Sequence, residues 1–215
     1  MRREYQINPN EWDLIFHVPL TENYNELVHN VAGANNSTSP QFDAVKGLYI
    51  KASNGGQYGV KFVMPQSFSD AVYTMTDIRL LIEVTVINQH SGWSGSPFRM
   101  DNTSSDTDTY NPVIVSQSTN AAFAANKLNL PTNIQIKIWE DTTYDFTNLS
   151  KPKYTTKVIT DYNDREWSLS QNLDRNYYKV RPQSCPYVRV SHCMRTNQIN
   201  PFDGWMKDIK VYRHK

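Results

Sequence analysis

The chain has 215 residues, of which 22 are Lys or Arg and 21 are Asp or Glu, giving a formal net charge of +1 at pH 7. This near balance leaves no cationic surplus for general binding to nucleic acid or to an anionic membrane. Hydrophobic residues make up 39% of the sequence, which is enough for a packed core, and no apolar run of about 18 residues that could cross a bilayer occurs. We therefore expect a soluble protein with a single domain.

The N-terminal segment and the cysteines bear on whether the protein is secreted. Residues 1–11 begin with Arg2 and Arg3 but contain neither an apolar segment nor a small-residue cleavage site, so no secretory signal is expected. Cys185 and Cys193 are the only cysteines. We interpret both as reduced thiols, because a chain of this length needs no disulfide framework. The spacing of cysteines and histidines matches no metal site, and no metal or cofactor is predicted.

Alternation of apolar and polar residues is the dominant pattern along the chain, and it predicts β-strands. The clearest strand is 77–87, whose long β-branched run predicts a central position in a sheet. Its even-numbered apolar residues are expected to be buried together: Ile78, Leu80, Ile82, Val84 and Val86. In chain order, the predicted strands cover residues 12–20, 48–50, 58–64, 77–87, 113–115, 134–138, 154–160, 167–169, 178–180, 187–190 and 209–212.

No stretch carries a helical repeat of apolar residues over three turns, and residues 120–130 allow at most a short helix. Many short strands separated by Asn, Asp, Ser, Gly and Pro clusters predict two packed antiparallel sheets in a nearly all-β protein. In the first strand, Trp12, Leu14, Phe16, Val18 and Leu20 share one parity and are expected to face the core. Trp167 and Trp205 also share the parity of apolar neighbours and are expected in the core.

The two ends of the chain carry a family resemblance. The opening strand ends in Pro19-Leu20 and is followed, after a polar stretch, by the segment Val45-Lys46-Gly47-Leu48-Tyr49-Ile50, a strand that carries a glycine. At the other end, Phe202-Asp203-Gly204 precedes the alternating run of residues 209–212. The chain thus resembles laminin-G-like members of the concanavalin A-like superfamily. The resemblance implies a two-sheet antiparallel jelly-roll sandwich, spanning residues 12–215, in which the first and last strands pair.

The related β-glucanases carry carboxylates at alternate positions of one strand, because retaining hydrolysis needs two of them about 5 Å apart on one face. In the central strand here, Glu83 is flanked two residues away by Leu81 and Thr85. Glu140 and Asp141 are adjacent, so they are expected on opposite faces of a strand. We therefore expect no enzymatic activity, and a hydrolase is the least favoured of three functional hypotheses.

For sugar binding, a protein needs an exposed aromatic plate with amides and carboxylates nearby. Trp93 lies between Gly and Ser residues that indicate a loop, and Tyr110 closes the polar loop that follows. Trp139 has the opposite parity to Ile134, Ile136 and Ile138, so it is expected to face either solvent or the concave sheet. These three aromatics are the candidate glycan contacts. The alternative for each is an aromatic lid over the edge of the sandwich.

The polar loop also contains acidic residues. Asp101, Asp106 and Asp108 offer oxygens of the kind that calcium prefers. Their spacing fits no EF-hand loop, and no glycine fixes a turn among them. A solvated loop is therefore favoured over a calcium site.

These features together favour a non-enzymatic structural component of a virion, such as a tailed-phage fibre, capsid decoration or tail-associated module. The lectin-like fold makes host glycans an expected contact, beside other virion proteins and further copies of the chain. On this hypothesis the protein is made in the host cytoplasm and located in the virion. The alternative is a glycan-binding module of a cellular protein.

The N-terminal arm, residues 1–11, precedes the first predicted strand, so the sandwich is not expected to need it. Its candidate attachment residues are Arg2, Arg3, Tyr5 and Ile7, because guanidiniums and an aromatic anchor suit small protein interfaces. We expect the arm to serve in attachment or oligomerisation. On that expectation, its deletion leaves the melting of the isolated domain nearly unchanged.

Overall fold

The computed structural model describes residues 4–35, 40–51, 60–73, 77–89, 96–101, 112–115, 130–145, 147–148, 153–162, 166–172, 186–192 and 203–215. These ranges form fifteen strands and one helix, α1 (Gln66–Tyr73). The strands are β1 (Trp12–Val18), β2 (Asn25–Glu26), β3 (Val31–Ala32), β4 (Ala34–Asn35), β5 (Gln41–Asp43), β6 (Gly47–Lys51), β7 (Val60–Val63), β8 (Asp77–Asn88), β9 (Ser96–Asp101), β10 (Pro112–Val115), β11 (Gln135–Asp145), β12 (Lys153–Thr160), β13 (Glu166–Asn172), β14 (Tyr187–His192) and β15 (Asp203–His214).

Two antiparallel sheets form the body of the fold. The large sheet has the strand order β13-β12-β11-β8-β15-β6-β5, and β1 also pairs with β15. The small sheet has the order β10-β9-β14-β7-β4, and β2 and β3 form a separate two-stranded ladder. The structure thus confirms the predicted nearly all-β fold built from two antiparallel sheets.

The centre of the large sheet is the pair β8 and β11, which stay in register from Gln135 opposite Ile87 to Asp145 opposite Asp77. In β8 the five even-numbered apolar residues are each at most 2% exposed, as the alternation predicted. Their side chains lie in one buried cluster with residues of both sheets. The core therefore lies between the two sheets.

The small sheet and the helix complete this core. Phe62 of the small sheet packs edge-on against Phe16 of the large sheet, with ring centroids 5.2 Å apart. Phe68 and Val72 of α1 are buried in the same cluster. The spacing of these two residues places them on one face of the helix. The sequence did not predict α1, because its eight residues are too few to display a helical repeat over three turns.

The first and last strands pair as predicted, from Trp12 opposite His214 to Val18 opposite Ile209. A register shift between Leu14 and Phe16 marks a β-bulge, which moves the following residues to the other face. Phe16 and Val18 are fully buried in the core between the sheets. Leu14, in contrast, is 39% exposed. The expectation that Leu14 faces the core was therefore wrong.

A second bulge interrupts β15 between Lys207 and Lys210, with Asp208 in the left-handed region at a φ of 53°. At this point the neighbour of β15 changes from β6 to β1. Because the bulge reverses the parity, Ile209 faces the core and Trp205 faces away from it. Trp205 is partly exposed, so the prediction of a core position for it was wrong.

Candidate functional site

The face of the large sheet that points away from the small sheet, called the outer face below, carries most of the candidate functional side chains. They belong to the N-terminal arm and to β1, β5, β6, β8, β11, β12 and β15. Cross-strand partners point to the same face, so the strand registers define which side chains are neighbours. Three zones lie along this face: an apolar zone under the N-terminal arm, an ionic zone, and a row of partly exposed aromatic residues.

The apolar zone is a buried cluster of four residues, Trp12, Leu81, Trp139 and Ile159, which are at most 6% exposed. They are separate from the core between the sheets and lie on the outer face. Tyr5 and Ile7 of the arm pack against them and shield them from solvent. Trp12 is thus buried as predicted, but beneath the arm rather than between the sheets.

Tyr5 joins the apolar zone to a charged pair. Its ring stacks on Trp139 with centroids 6.4 Å apart and planes at 30°. Its hydroxyl donates to Asp141 Oδ2 at 3.0 Å. Arg79 donates to both oxygens of the same carboxylate, at 2.9 and 2.7 Å. Burial, followed by the charge of Asp141, raises the pKa of Tyr5 to about 12, so the phenol stays protonated.

Trp139 lies on the face opposite Ile136 and Ile138, as its parity predicted. Its indole N–H donates to Glu83 Oε2 at 2.8 Å. The ring is 1% exposed, because Tyr5 stacks on it and the Lys137 ammonium lies 5.7 Å from its centroid. Trp139 was expected to face either solvent or a sheet, and its side chain lies covered on the outer face of the large sheet and does not face solvent. The predicted glycan contact at Trp139 stays a prediction.

The ionic zone connects Glu83 to the β15 bulge. Lys210 Nζ lies 3.2 Å from Glu83 Oε1 and 3.0 Å from Asp208 Oδ2. His17 Nε2 lies 2.8 Å from Asp208 Oδ1. The hydrogen bond from His17, with help from Lys210, lowers the pKa of Asp208 to about 2. Burial opposes the charge of Lys210, but Asp208 and Glu83 raise the pKa of this lysine overall.

The carboxylates of this region are distributed as the adjacency of Glu140 and Asp141 predicted. Glu140 is 1% exposed on the core side, where Thr142 donates to it. Asp141 lies on the outer face with Arg79. Glu83 shares that face, with Trp139 directly opposite it. Glu83 and Asp141 are each paired with a cation, Lys210 and Arg79 respectively.

The third zone is a transverse row of side chains that crosses five neighbouring strands on the outer face. Its members pair directly from strand to strand, with the glutamines exposed and the others partly exposed: Gln41, Tyr49, Trp205, Ile87 and Gln135. Four steps between strands give the row a length of about 19 Å. It is an aromatic and aliphatic strip with an amide at each end.

Two contacts fix the aromatic pair of this row. The rings of Tyr49 and Trp205 are 5.1 Å apart at 51°. The Tyr49 hydroxyl donates to Asp203 Oδ1 at 2.7 Å, and this bond raises the pKa of Tyr49. The ammonium of Lys46 lies 5.3 Å from the Trp205 centroid, and Lys46 is exposed. Among the described residues, the ring contacts of Trp205 are thus with Tyr49 and a surface lysine, and its side chain is partly exposed.

Of the predicted site residues, the structure describes Tyr5, Ile7 and Trp139, and these three lie together on the outer face. Tyr5 and Ile7 lie on the sandwich of their own chain. The following predicted residues lie outside the described ranges: Arg2, Arg3, Trp93, Asp106, Asp108, Tyr110, Cys185 and Cys193. The predicted strand 178–180 and residues 120–129 of the short helical segment lie outside them as well.

The sequence reasoning missed the Tyr49 and Trp205 pair. Trp205 has the same odd parity as Ile209 and Val211, so simple alternation assigns it to the core. The signal that could have found it is the charged pair Lys207-Asp208 within the strand. Uninterrupted alternation through Ile209 and Val211 would bury Lys207 together with Trp205. Such an interruption is typical of a β-bulge.

The described residues also bear on metal binding and on the crossing of a membrane. Among them, no three His, Cys, Asp or Glu side chains come together in an arrangement that could hold a metal ion. Asp101, one of the three acidic residues considered for calcium, lies in β9 opposite Tyr187 and Pro112. Over the same ranges, no helix has the length and apolar character needed to cross a membrane.

No family model matches the sequence, and no significant match is found among curated proteins. Similar solved structures include domain 4 of a GH43 extracellular arabinanase from Geobacillus stearothermophilus in complex with arabinotriose, at 10% identity and a TM-score of 0.48, covering 95% of this chain and 94% of that one. A PL-14 alginate lyase from Aplysia kurodai has 12% identity and a TM-score of 0.41, covering 84% and 86%. A Trypanosoma rangeli sialidase has 10% identity and a TM-score of 0.34, and 30% of its chain is covered. The fold class, a two-sheet antiparallel β-sandwich, rests on the strand pairing itself.

Proposed function

We propose that this protein is a non-enzymatic carbohydrate-binding β-sandwich whose open site is the transverse row. The observation that carries the proposal is the pair Trp205 and Tyr49. Trp205 is an indole on a sheet face, reachable from solvent, held by a tyrosine whose hydroxyl is fixed by Asp203. A sugar ring stacks its C–H face on such a plate, while nearby polar groups take its hydroxyls.

The shape of the row favours an extended glycan over a single sugar. Ile87 continues the apolar strip beyond Trp205, and Gln41 and Gln135 place an amide at each end, about 19 Å apart. An amide can both donate to and accept from a hydroxyl. A chain of several sugars lying across the strands would meet an apolar centre and polar ends. The exposed Lys46 side chain would move aside or contact the sugar.

The ion pairs on the outer face support binding without hydrolysis. Retaining hydrolysis needs a carboxyl that gives a proton beside a carboxylate that attacks. Glu83 is held by Lys210 and Trp139, and Asp141 by Arg79 and Tyr5. We expect no release of reducing ends from arabinan, β-glucan or alginate. Activity that disappears in Glu83→Gln, Asp141→Asn or Glu140→Gln would contradict this proposal.

The biological setting that we propose is a virion, as a fibre, capsid decoration or tail-associated module. Its support is the pair Arg2 and Arg3 at the start of the N-terminal arm, since guanidiniums suit a small protein interface. Mass spectrometry of purified particles, together with capsid and portal genes beside this gene, tests the setting. The alternative, a glycan-binding module of a cellular protein, predicts a secretion signal encoded upstream and no particles.

The binding proposal is tested with an array of defined glycans, and by affinity electrophoresis in arabinan, β-glucan and alginate. We expect the full chain to bind at least one of them. Trp205→Ala should weaken that binding about tenfold or more, because the stacking plate is lost. Val63→Ala is the matched control, since Val63 is 62% exposed on the small sheet and should bind as the unmodified chain does. Equal loss in both variants, or no binding at all, would contradict the proposal.

A further inference from the structure

We infer that the N-terminal arm is a displaceable strap over a second carbohydrate site, centred on Trp139, and that Tyr5 occupies the place of a sugar ring there. This inference rests on the proposed function, because it assigns a further subsite on the same sheet face. Residues 4–7 of the arm pack on the outer face of their own sandwich, whereas the sequence predicted a role of the arm in attachment or oligomerisation. Its docking side chains are Tyr5 and Ile7.

The attachment of the arm is by side chains. No backbone hydrogen bond joins residues 4–7 to the described strands. Glu4 and Gln6 are exposed, so only alternate residues of the arm touch the sheet. A paired strand would be held by a ladder of backbone hydrogen bonds, and residues 4–7 have no such ladder with the described strands. It can therefore leave the sheet without breaking any strand pair among the described residues.

The arm is joined to β1 by a turn that can serve as a hinge. Asn8 closes this turn, with its backbone oxygen accepting from Glu11 and Trp12 and its side chain accepting from Asn10. The C-terminal Lys215 holds the turn from outside through Pro9 and Glu11. Residues 8–11 therefore have their own anchors, independent of Tyr5. Release of residues 4–7 leaves the turn in place.

The surface beneath the arm has the composition of a sugar site. Trp139 provides an aromatic plate, and Leu81 and Ile159 provide an apolar floor beside it. The Asp141 carboxylate and the Arg79 guanidinium provide an acceptor and donors at the edge of that plate. Such a combination of one flat apolar surface with a few convergent polar groups is what a pyranose or furanose ring requires.

Tyr5 satisfies this surface as a sugar would. Its ring lies nearly parallel to the indole, and its single hydroxyl donates to the carboxylate. A purely apolar plug would leave Asp141 with Arg79 alone. A hydroxyl aimed at that ion pair indicates instead that the site is suited to a ring that carries hydroxyl groups. The phenol is thus the internal competitor of a ligand with the same two features.

The strapped site and the open site lie on one face. Glu83, which is opposite Trp139, and Ile87, which is opposite Trp205, are four residues apart on β8, about 13 Å along the strand. A single glycan chain can therefore reach both sites. Binding at the open row would raise the local concentration of sugar beside the strap.

The test separates the two sites by combining variants. The chain lacking residues 1–7 and carrying Trp205→Ala has only the second site, and Trp205→Ala alone has neither site open. All variants are probed on the glycan array and in arabinan, β-glucan and alginate gels. We expect removal of residues 1–7 to restore about tenfold tighter binding to the Trp205→Ala chain, and Trp139→Ala to abolish this gain. Tyr5→Ala, added to the full-length Trp205→Ala chain, should also tighten glycan binding, but by less than the removal of residues 1–7.

A readout that does not depend on a ligand accompanies the binding test. Acrylamide quenching reports whether Trp139 becomes exposed, with Trp139→Phe subtracted to isolate its fluorescence from that of the other tryptophans. Exposure of Trp139 in the shortened chain, with the near-ultraviolet circular dichroism of a folded protein, supports the strap. If both the shortened chain and Tyr5→Ala lose their fold, the arm is a structural plug and the inference is wrong.

The outcomes also distinguish this inference from the proposed function. If the full chain binds through Trp205 and the shortened Trp205→Ala chain does not bind, the strap is wrong and the proposed function stands. If only the shortened chains bind, and they do so through Trp139, the strap is correct and the open row is not the site. If no variant binds any glycan, both are wrong.

Discussion

His17 Nε2 donates to Asp208 Oδ1 at 2.8 Å, joining the first and last strands immediately beside the bulge of each. Asp208 has a positive φ of 53°, a conformation that aspartate tolerates better than most residues. Its backbone N–H donates to Pro19 O at 2.9 Å, so both its backbone and its side chain are anchored to the segment that contains β1. This contact fixes where β15 changes neighbours, and therefore which of its residues face outward.

Asp208→Asn should lower the free energy of unfolding at neutral pH, because His17 and Lys210 lose a carboxylate partner. The pKa of Asp208 is lowered from 3.8 to about 2, so its contribution is complete above pH 4 and is lost as the pH falls toward 2. Asp208 is one-third exposed, so we expect a loss of only about 1 kcal/mol at pH 7.

Urea unfolding at pH 7 and at pH 2 measures this difference. The gap between Asp208→Asn and the unmodified chain should close at the lower pH. Asp70→Asn is the control, since Asp70 is exposed on α1 and its carboxylate accepts from Gln66 of the same helix at 2.8 Å. A gap that is the same at both pH values would contradict a role for the ionised carboxylate.

Ile82→Ala and Leu14→Ala test which side chains of β8 and β1 face the core. Ile82 lies in a stretch of β8 that pairs with β11 without a register shift, and Leu14 precedes the bulge of β1. Ile82 is 2% exposed in the core, and its truncation should cost about 2–5 kcal/mol through lost transfer energy and a cavity. Leu14 is 39% exposed on the outer face, so its truncation should cost less than about 1 kcal/mol. Denaturant unfolding of both variants measures the contrast. Equal losses would mean that the bulge between Leu14 and Phe16 is absent.

The sequence predicted those parts of the fold in which alternation runs without interruption. Strand β8 is such a case, and its five buried even-numbered residues were identified one by one, whereas only residues 134–138 of its partner β11 were predicted as a strand. Alternation failed where a bulge inserts one residue, because every later side chain then changes face. Leu14 and Trp205 are the two consequences. A bulge depends on how neighbouring strands meet, which a single strand's own sequence does not contain.

The candidate site shows the same limit. Trp139 was identified as facing away from the core because its strand alternates regularly. Its cover was not, because Tyr5 is 134 positions away along the chain and nothing local in residues 4–8 shows that Tyr5 and Ile7 dock on their own sandwich. The expectation that the arm can be removed without effect on melting rested on its position before β1. With Tyr5 and Ile7 shielding four outer-face residues, we now expect a measurable decrease in stability.

Glu26→Ala should destabilise the contact between β1 and residues 26–29. The Glu26 carboxylate is fully buried and accepts the backbone N–H groups of His17, Val28 and His29 at 3.0, 2.9 and 2.7 Å. Truncation leaves three donors without this acceptor, and we expect a loss of about 2–5 kcal/mol in the free energy of unfolding. Glu26→Gln should cost less, because one oxygen remains.

Glu22→Ala provides the matched control for Glu26→Ala. Glu22 is exposed in the same connection between β1 and β2, so its truncation should change the free energy of unfolding by no more than about 0.5 kcal/mol. Thermal and denaturant unfolding of the three variants measure the series. Similar stabilities for Glu26→Ala and Glu22→Ala would show that water replaces the carboxylate without loss.

The pH titration of the Tyr5 phenol follows the docking of the arm, with Tyr5→Phe as the reference variant that lacks this group. The pKa of Tyr5 is raised from 10.0 to about 12 by burial and by Asp141, so the neutral phenol is favoured in the folded state. Its contribution to arm docking is therefore present below pH 10 and is lost as the pH rises through 12. Above that range, a phenolate beside the Asp141 carboxylate should release the arm.

The chain has 13 tyrosines, so the titration of Tyr5 must be isolated by difference. Subtracting the tyrosinate absorbance of Tyr5→Phe from that of the unmodified chain leaves one titrating group, whose midpoint we expect near pH 12. The other shifted phenols, Tyr49 and Tyr212, cancel in the subtraction because both variants contain them. The chain lacking residues 1–7 also lacks only Tyr5 among the tyrosines, so it should give the same curve. A difference midpoint near pH 10 would show that Tyr5 is solvated and that the arm does not rest on Trp139.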